Sequence, residues 1–128
     1  MSKIVFDASA IIALFAQEKG YKLIQNHLKD AIISSVNIAE VYKYCVDTRN
    51  LTGDEAKDVM KMLDIKIIDF NKEHALITAN LVSKTKQYGL SLGDRACIAL
   101  ALHGNHSVIT CDSIWQKIDV GVKFIIAR

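Results

Sequence analysis

The sequence predicts a doubly wound α/β sandwich built on a parallel sheet. Short apolar runs dominated by Ile and Val alternate with longer segments of helical periodicity, as expected of strands buried on both faces. No linker, repeat or low-complexity run divides the 128 residues, so a single domain over residues 1–128 is expected. Crossovers between parallel strands are right-handed, which narrows the topology but leaves the strand order open.

Proline is absent, so glycine and small polar residues must punctuate the chain. Ile4 to Phe6 reads as a first strand ending at Asp7. The spacing of Ala10, Ile11, Leu14 and Phe15 then predicts a helix that Gly20 breaks. Tyr21 to Leu28 carries a second helical pattern, and Ala31 to Ile33 a second strand. Ser34 and Ser35 lead into a long helix reaching about Arg49. Thr52 with Glu55 has the spacing of a capping box for a helix from Gly53 to Leu63. Ile65 to Phe70 reads as a third strand, followed by a helix from Asn71 to about Tyr88 that Gly89 closes. The stretch SLGDRACIALA, Ser91 to Ala101, opens an apolar helix. Ser107 to Cys111 is a fourth strand and Val122 to Ile126 a fifth.

Hydrophobic residues at 51% and charged residues at 23% suit a soluble globular protein. The longest apolar run free of charge, Ala8 to Ala16, is too short to span a bilayer, and no secretory leader is recognisable, so no membrane partner is expected. Cys45, Cys97 and Cys111 stand singly among apolar neighbours and read as reduced core residues of a cytoplasmic protein. No C-x-x-C pair supports a zinc site. The net charge of +2 does not by itself announce a nucleic-acid binder. If four acids were gathered in one site, ten would remain against 16 Lys and Arg, a basic surround for an acidic pocket. A mixed, solvated surface accounts for the same numbers.

Four acids fall at informative places. Asp7 in VFDAS and Asp112 in ITCDS each follow a strand and are positioned to cap the next helix. Glu40 lies three residues after Asn37, and Asp94 three after Ser91, both with capping-box spacing. Each acid therefore has a structural explanation, since an acidic first turn complements the helix dipole. Capping has a further consequence: helices that follow or lead into parallel strands begin at the carboxyl edge of the sheet, where ligands bind in such folds. If the four carboxylates converge there, their repulsion calls for raised pKa values or a cation. Oxygen donors of this kind suit Mg²⁺ or Mn²⁺. Periodicity alone puts Glu40 on a solvated face with Lys43 and Asp47, opposite Ile38, Val41, Tyr42 and Cys45.

These acids and their contexts, DASAIIALF, SSVNIAEVY, LSLGDRACIALAL and VITCDSIW, resemble the PIN-domain ribonucleases, most closely the small toxins of VapC type. The resemblance runs over the whole chain. It implies a three-layer α/β/α sandwich with a five-stranded parallel sheet that brings the acids together. It further implies that Asp7, Glu40, Asp94 and Asp112 form a catalytic site around one or two Mg²⁺ or Mn²⁺ ions and hydrolyse RNA phosphodiester bonds. Ser9 and Thr110 match polar companions of the family acids, although a helix start and an ordinary strand position explain them equally well. A cognate antitoxin and a homodimer, paired through the helices after the first strand, are the implied partners.

None of the four histidines falls in a site motif. His27 and His74 read as solvated helix residues, and His103 and His106 as C-terminal helix caps. Trp115 reads as packing and Arg95 as a surface residue. A catalytically silent PIN-like module that only binds RNA or metal is the main rival. A non-catalytic scaffold predicts loss of at least one acid, and all four are present. A dehalogenase-like site would need a second Asp where Ser9 stands, and a receiver domain would need acids where Ile4, Val5 and Phe6 stand.

Overall fold

The computed structural model describes residues 2–128. Five strands, β1 (Ile4–Phe6), β2 (Ala31–Ser34), β3 (Lys66–Ile68), β4 (Ser107–Thr110) and β5 (Phe124–Ile126), form one parallel sheet in the order β3-β2-β1-β4-β5. The helices are α1 (Ala8–Ala16), α2 (Tyr21–Asn26), α3 (Ser35–Asp47), α4 (Gly53–Leu63), α5 (Lys72–Asn80), α6 (Val82–Thr85) and α7 (Leu92–Gly104).

The central strands are apolar on both faces because each face meets its own helical layer. Phe6, Ile33 and Ile109 point into a core shared with Ile11, Ile24, Val41 and Met60 of α1 to α4. Their neighbours Val5, Ile32 and Val108 point the other way, into a second core with Leu81, Ile98 and Trp115. Burying each large apolar side chain contributes about 1.5–3 kcal/mol before entropy is counted. The three-layer α/β/α architecture follows from this alternation, and Trp115 is a packing residue, 1% exposed and edge-on to Phe124 at 5.8 Å between ring centroids.

Several boundaries differ from the sequence expectation. The third strand stops at Ile68, since the Phe70 backbone N–H donates to Ser35 Oγ (3.0 Å). The expected helix from Asn71 to Tyr88 is three segments, α5, α6 and a 3-10 turn over Lys86–Tyr88. Thr85 donates its hydroxyl to the Leu81 carbonyl (2.7 Å) near the break, a local competition that bends helices. His74 is not a solvated residue: it is 1% exposed and packs between Phe70 and His103, with ring centroids 6.1 and 4.9 Å away. Asn105, in the left-handed conformation (φ 57°), ends α7, so the helix closes on this residue's backbone and not on a histidine cap. Asn37 is not a cap either. Ser34 holds that place, its Oγ accepting from the Val36 backbone N–H (3.2 Å), and Asn37 lies inside the first turn of α3.

Candidate active site at the carboxyl edge

The winding reverses between β1 and β4. The chain proceeds from β1 to β3 through α1 to α4 on one face, then crosses by α5 to α7 on the other face to reach β4. Neighbouring strands whose connections leave in opposite directions open a crevice beyond their carboxyl ends. Asp7 follows β1 directly, and Cys111 and Asp112 follow Thr110 at the end of β4, at this place.

Asp7 is the N-cap of α1 and only 5% exposed. Its Oδ1 accepts from the Ala10 backbone N–H (2.9 Å) and the Ser9 hydroxyl (2.7 Å), and its Oδ2 from the Thr110 hydroxyl (2.5 Å). Burial pushes the carboxyl up from 3.8 to about 6, outweighing these three hydrogen bonds, and the charge of Asp94 adds to the rise. Ser9 and Thr110 also reach the segment after β4. Ser9 Oγ accepts from the Cys111 backbone N–H (3.0 Å), and Thr110 Oγ1 from that of Asp112 (3.1 Å). Two hydroxyls thus fasten the end of β1 to the end of β4.

Glu40 stands exposed on α3, and its Oε1 accepts from Asn37 Nδ2 (2.8 Å). The other Nδ2 hydrogen bonds the Gly93 carbonyl of α7 (3.0 Å). A Cβ on Gly93 would lie 2.7 Å from Glu40 Oε1 and 2.8 Å from its Oε2, so the carboxylate rests directly on the α7 backbone. Asp94, the next residue, closes a reciprocal capping box: its Oδ2 accepts from the Ser91 N–H (2.9 Å), and its own N–H donates to Ser91 Oγ (3.2 Å). Asp112 is exposed and caps the turn Ser113–Lys117 through its Oδ1 and the Ile114 N–H (3.1 Å).

Cys97 is fully buried one turn beyond Asp94. Burial drives its thiol well up, and the charges of Asp7, Asp94 and Glu40 push it further. These three carboxylates come from the sheet and from both helical layers, and Asp112 is linked to them through its backbone and Thr110. Asn37 and Gly93 had no place among the expected site residues, and both sit between Glu40 and Asp94. Arg95 turns back to donate to the Thr78 carbonyl (3.1 Å) and serves packing.

Among the described residues, no three His, Cys, Asp or Glu side chains form a ready cage for an ion. Each carboxylate is drawn to its own neighbour: Asp7 to Thr110 and Ser9, Glu40 to Asn37, Asp94 to Ser91, Asp112 to Ile114. The donor chemistry nonetheless fits a hard cation, being carboxylate and hydroxyl oxygen. Among the described residues, Glu40 Oε2, Asp94 Oδ1 and Asp112 Oδ2 accept no hydrogen bond, which leaves one oxygen of each available.

Solved structures of similar fold include a toxin–antitoxin complex from Klebsiella pneumoniae, at TM-score 0.73 and 19% identity over 98% of each chain. DNA-bound VapBC from Salmonella typhimurium aligns over 100% of each chain at TM-score 0.75 and 15% identity. VapC20 of Mycobacterium tuberculosis, a sarcin–ricin loop cleaving toxin, aligns at TM-score 0.71 and 11% identity over 94% of this chain and 99% of that one. Among curated proteins, no sequence match was found. The PIN domain family model matches residues 4–121, and the parallel sheet and its winding agree with that match: the chain belongs to the PIN-domain family.

Proposed function

We propose that this protein is a divalent-cation-dependent endoribonuclease and the toxin of a toxin–antitoxin pair. The observation that carries this reading is the pairing of acids at the carboxyl edge: Thr110 joins Asp7 to the Asp112 backbone, and Glu40 rests on Gly93 beside Asp94. Structural similarity to toxin–antitoxin complexes, and to a toxin that cleaves an RNA loop, supports the substrate and the partner. Asp7, Glu40 and Asp94 hold one or two Mg²⁺ or Mn²⁺ ions, and Asp112 completes the set. When bound, the cation neutralises charge on the scissile phosphate and makes the attacking water more acidic.

The chain's own groups prepare this chemistry. Ser9 and Thr110 orient Asp7 and favour its ionised form against burial. Asp94 keeps its Oδ1 available while Oδ2 caps α7. The excess of Lys and Arg outside the acidic cluster attracts an RNA backbone towards it. Three free, buried cysteines suit a reducing cytoplasm, and no helix among the described residues is long and apolar enough to cross a membrane. A cognate antitoxin and a second copy of the chain are the proposed partners.

The test is cleavage of mixed RNA with Mn²⁺ or Mg²⁺, beside EDTA and the Asp94→Asn variant. Cleavage only by wild-type protein with metal is the expected result. Cleavage that survives EDTA and the substitution would remove the metal site from the proposal. Absence of any cleavage, with cation binding intact by calorimetry, would assign the fold to a regulatory metal-binding module.

A further inference from the structure

Asn37 is 1% exposed, yet it carries no element of the backbone scaffold: Ser34 caps α3 and Asn37 is already inside the helix. Both hydrogens of its Nδ2 are used, one on Glu40 Oε1 (2.8 Å) and one on the Gly93 carbonyl (3.0 Å). Since both of those partners are acceptors, the amide has only one orientation that works. Its Oδ1 is left buried with no hydrogen-bond partner among the described residues. A buried acceptor without a donor is destabilising. A side chain retained only for stability would not be built this way, because an apolar group of similar size would remove the unpaired oxygen.

What the amide does achieve is geometric. It grips the carboxylate of Glu40 and the first turn of α7 with one planar group, and Gly93 lets that carboxylate lie flat on the helix backbone. Asp94 is the next residue along. We infer that Asn37 is a positioning residue that locks Glu40 and the Asp94 turn into one rigid unit and thereby sets the affinity of the site for its divalent cation. This rests on the proposed metal-dependent reading of the same site.

The test is Mn²⁺ binding to the full chain, measured by calorimetry and by loss of the free-ion paramagnetic resonance signal, together with thermal melting in EDTA. Asn37→Leu removes both bonds and the unpaired oxygen. It is expected to melt at or above the wild-type temperature while binding Mn²⁺ about 10- to 100-fold more weakly, the range seen for partners that orient metal ligands. Asn37→Asp keeps the shape but sets a negative charge against Glu40 and the Gly93 carbonyl, and is expected to weaken Mn²⁺ binding as well. Should the Leu variant fail to fold, Asn37→Ser provides the same comparison. Wild-type affinity in a folded variant overturns the role of Asn37 and leaves the metal site standing. A wild-type protein that binds no Mn²⁺ overturns both.

Discussion

The buried carboxyl of Asp7 links local sequence to the energy of the site. Its raised value, about 6 against 3.8, means that the folded state holds the proton more tightly than the unfolded chain. Ionisation of Asp7 therefore opposes folding: the destabilisation is absent below about pH 4, grows through the window up to 6, and is complete above it. Asp7→Asn removes the charge and is expected to stabilise the EDTA-treated protein at pH 8 by on the order of 2–3 kcal/mol. At pH 3.5 the two proteins should melt alike. A variant less stable than wild type at pH 8 would show that its hydrogen bonds outweigh its burial. That Asp7 caps the helix after a strand was legible from its position, whereas Ser9 and Thr110 were named only through the family resemblance, and their hydrogen bonds to Asp7 are a finding of the structure. Asn37 was misread because a residue three before a glutamate looks the same whether it caps a helix or lies within it. Only the position of Ser34 as cap decides between the two.

Among the elements, α3 and α7 bear on each other through Glu40 and Gly93. Replacing a helical glycine by alanine normally favours the helix by up to about 1 kcal/mol. At Gly93 the nearest atoms a new methyl group would meet belong to the end of the Glu40 side chain, which can swing away. Gly93→Ala is thus expected to keep or raise the melting temperature while weakening Mn²⁺ binding at least about tenfold. Unchanged affinity would mean that the resting place of Glu40 is unimportant. The elements themselves were mostly visible in the sequence: α4 has the expected bounds, with its capping box formed. The helix α5 was legible in position but not in orientation. His74, read as solvated from the sequence, is buried with Thr78, whereas Leu76 is 65% exposed.

For the molecule as a whole, two opposed titrations shape stability. Burial lowers the pKa of His74, His103 beside it adds to the fall, and Glu73 acts weakly against it. The folded state thus favours the neutral imidazole, and the stability this brings is present above about pH 6.5 and lost as pH falls through the lowered value. His106, lowered chiefly by burial and then by Lys3, acts in the same direction. Asp7 acts oppositely over the neighbouring range. Relative to wild type, metal-free His74→Phe should gain stability on acidification from pH 6.5 to 4, whereas Asp7→Asn should lose it. Wild type should show a shallower profile than either, by denaturant titration at each pH. Equal slopes in all three would dismiss both groups. Strand order was the part of the fold the sequence withheld, because local periodicity says which residues are buried but not which strands are adjacent.

The division of Asp7, Glu40 and Asp94 among the sheet and two helical layers would make the proposed cation site a coincidence detector for folding. A fragment with any two layers carries at most two of the three groups, so it would not reproduce the cation binding proposed for the intact chain. During synthesis Asp7 and Glu40 emerge first, and the residue that completes the trio, Asp94, arrives with α7 after roughly three-quarters of the chain. The proposed nuclease, assembled in this order, would be silent as a nascent chain and as a proteolytic remnant. Cation uptake at the proposed site would then report that every layer has docked.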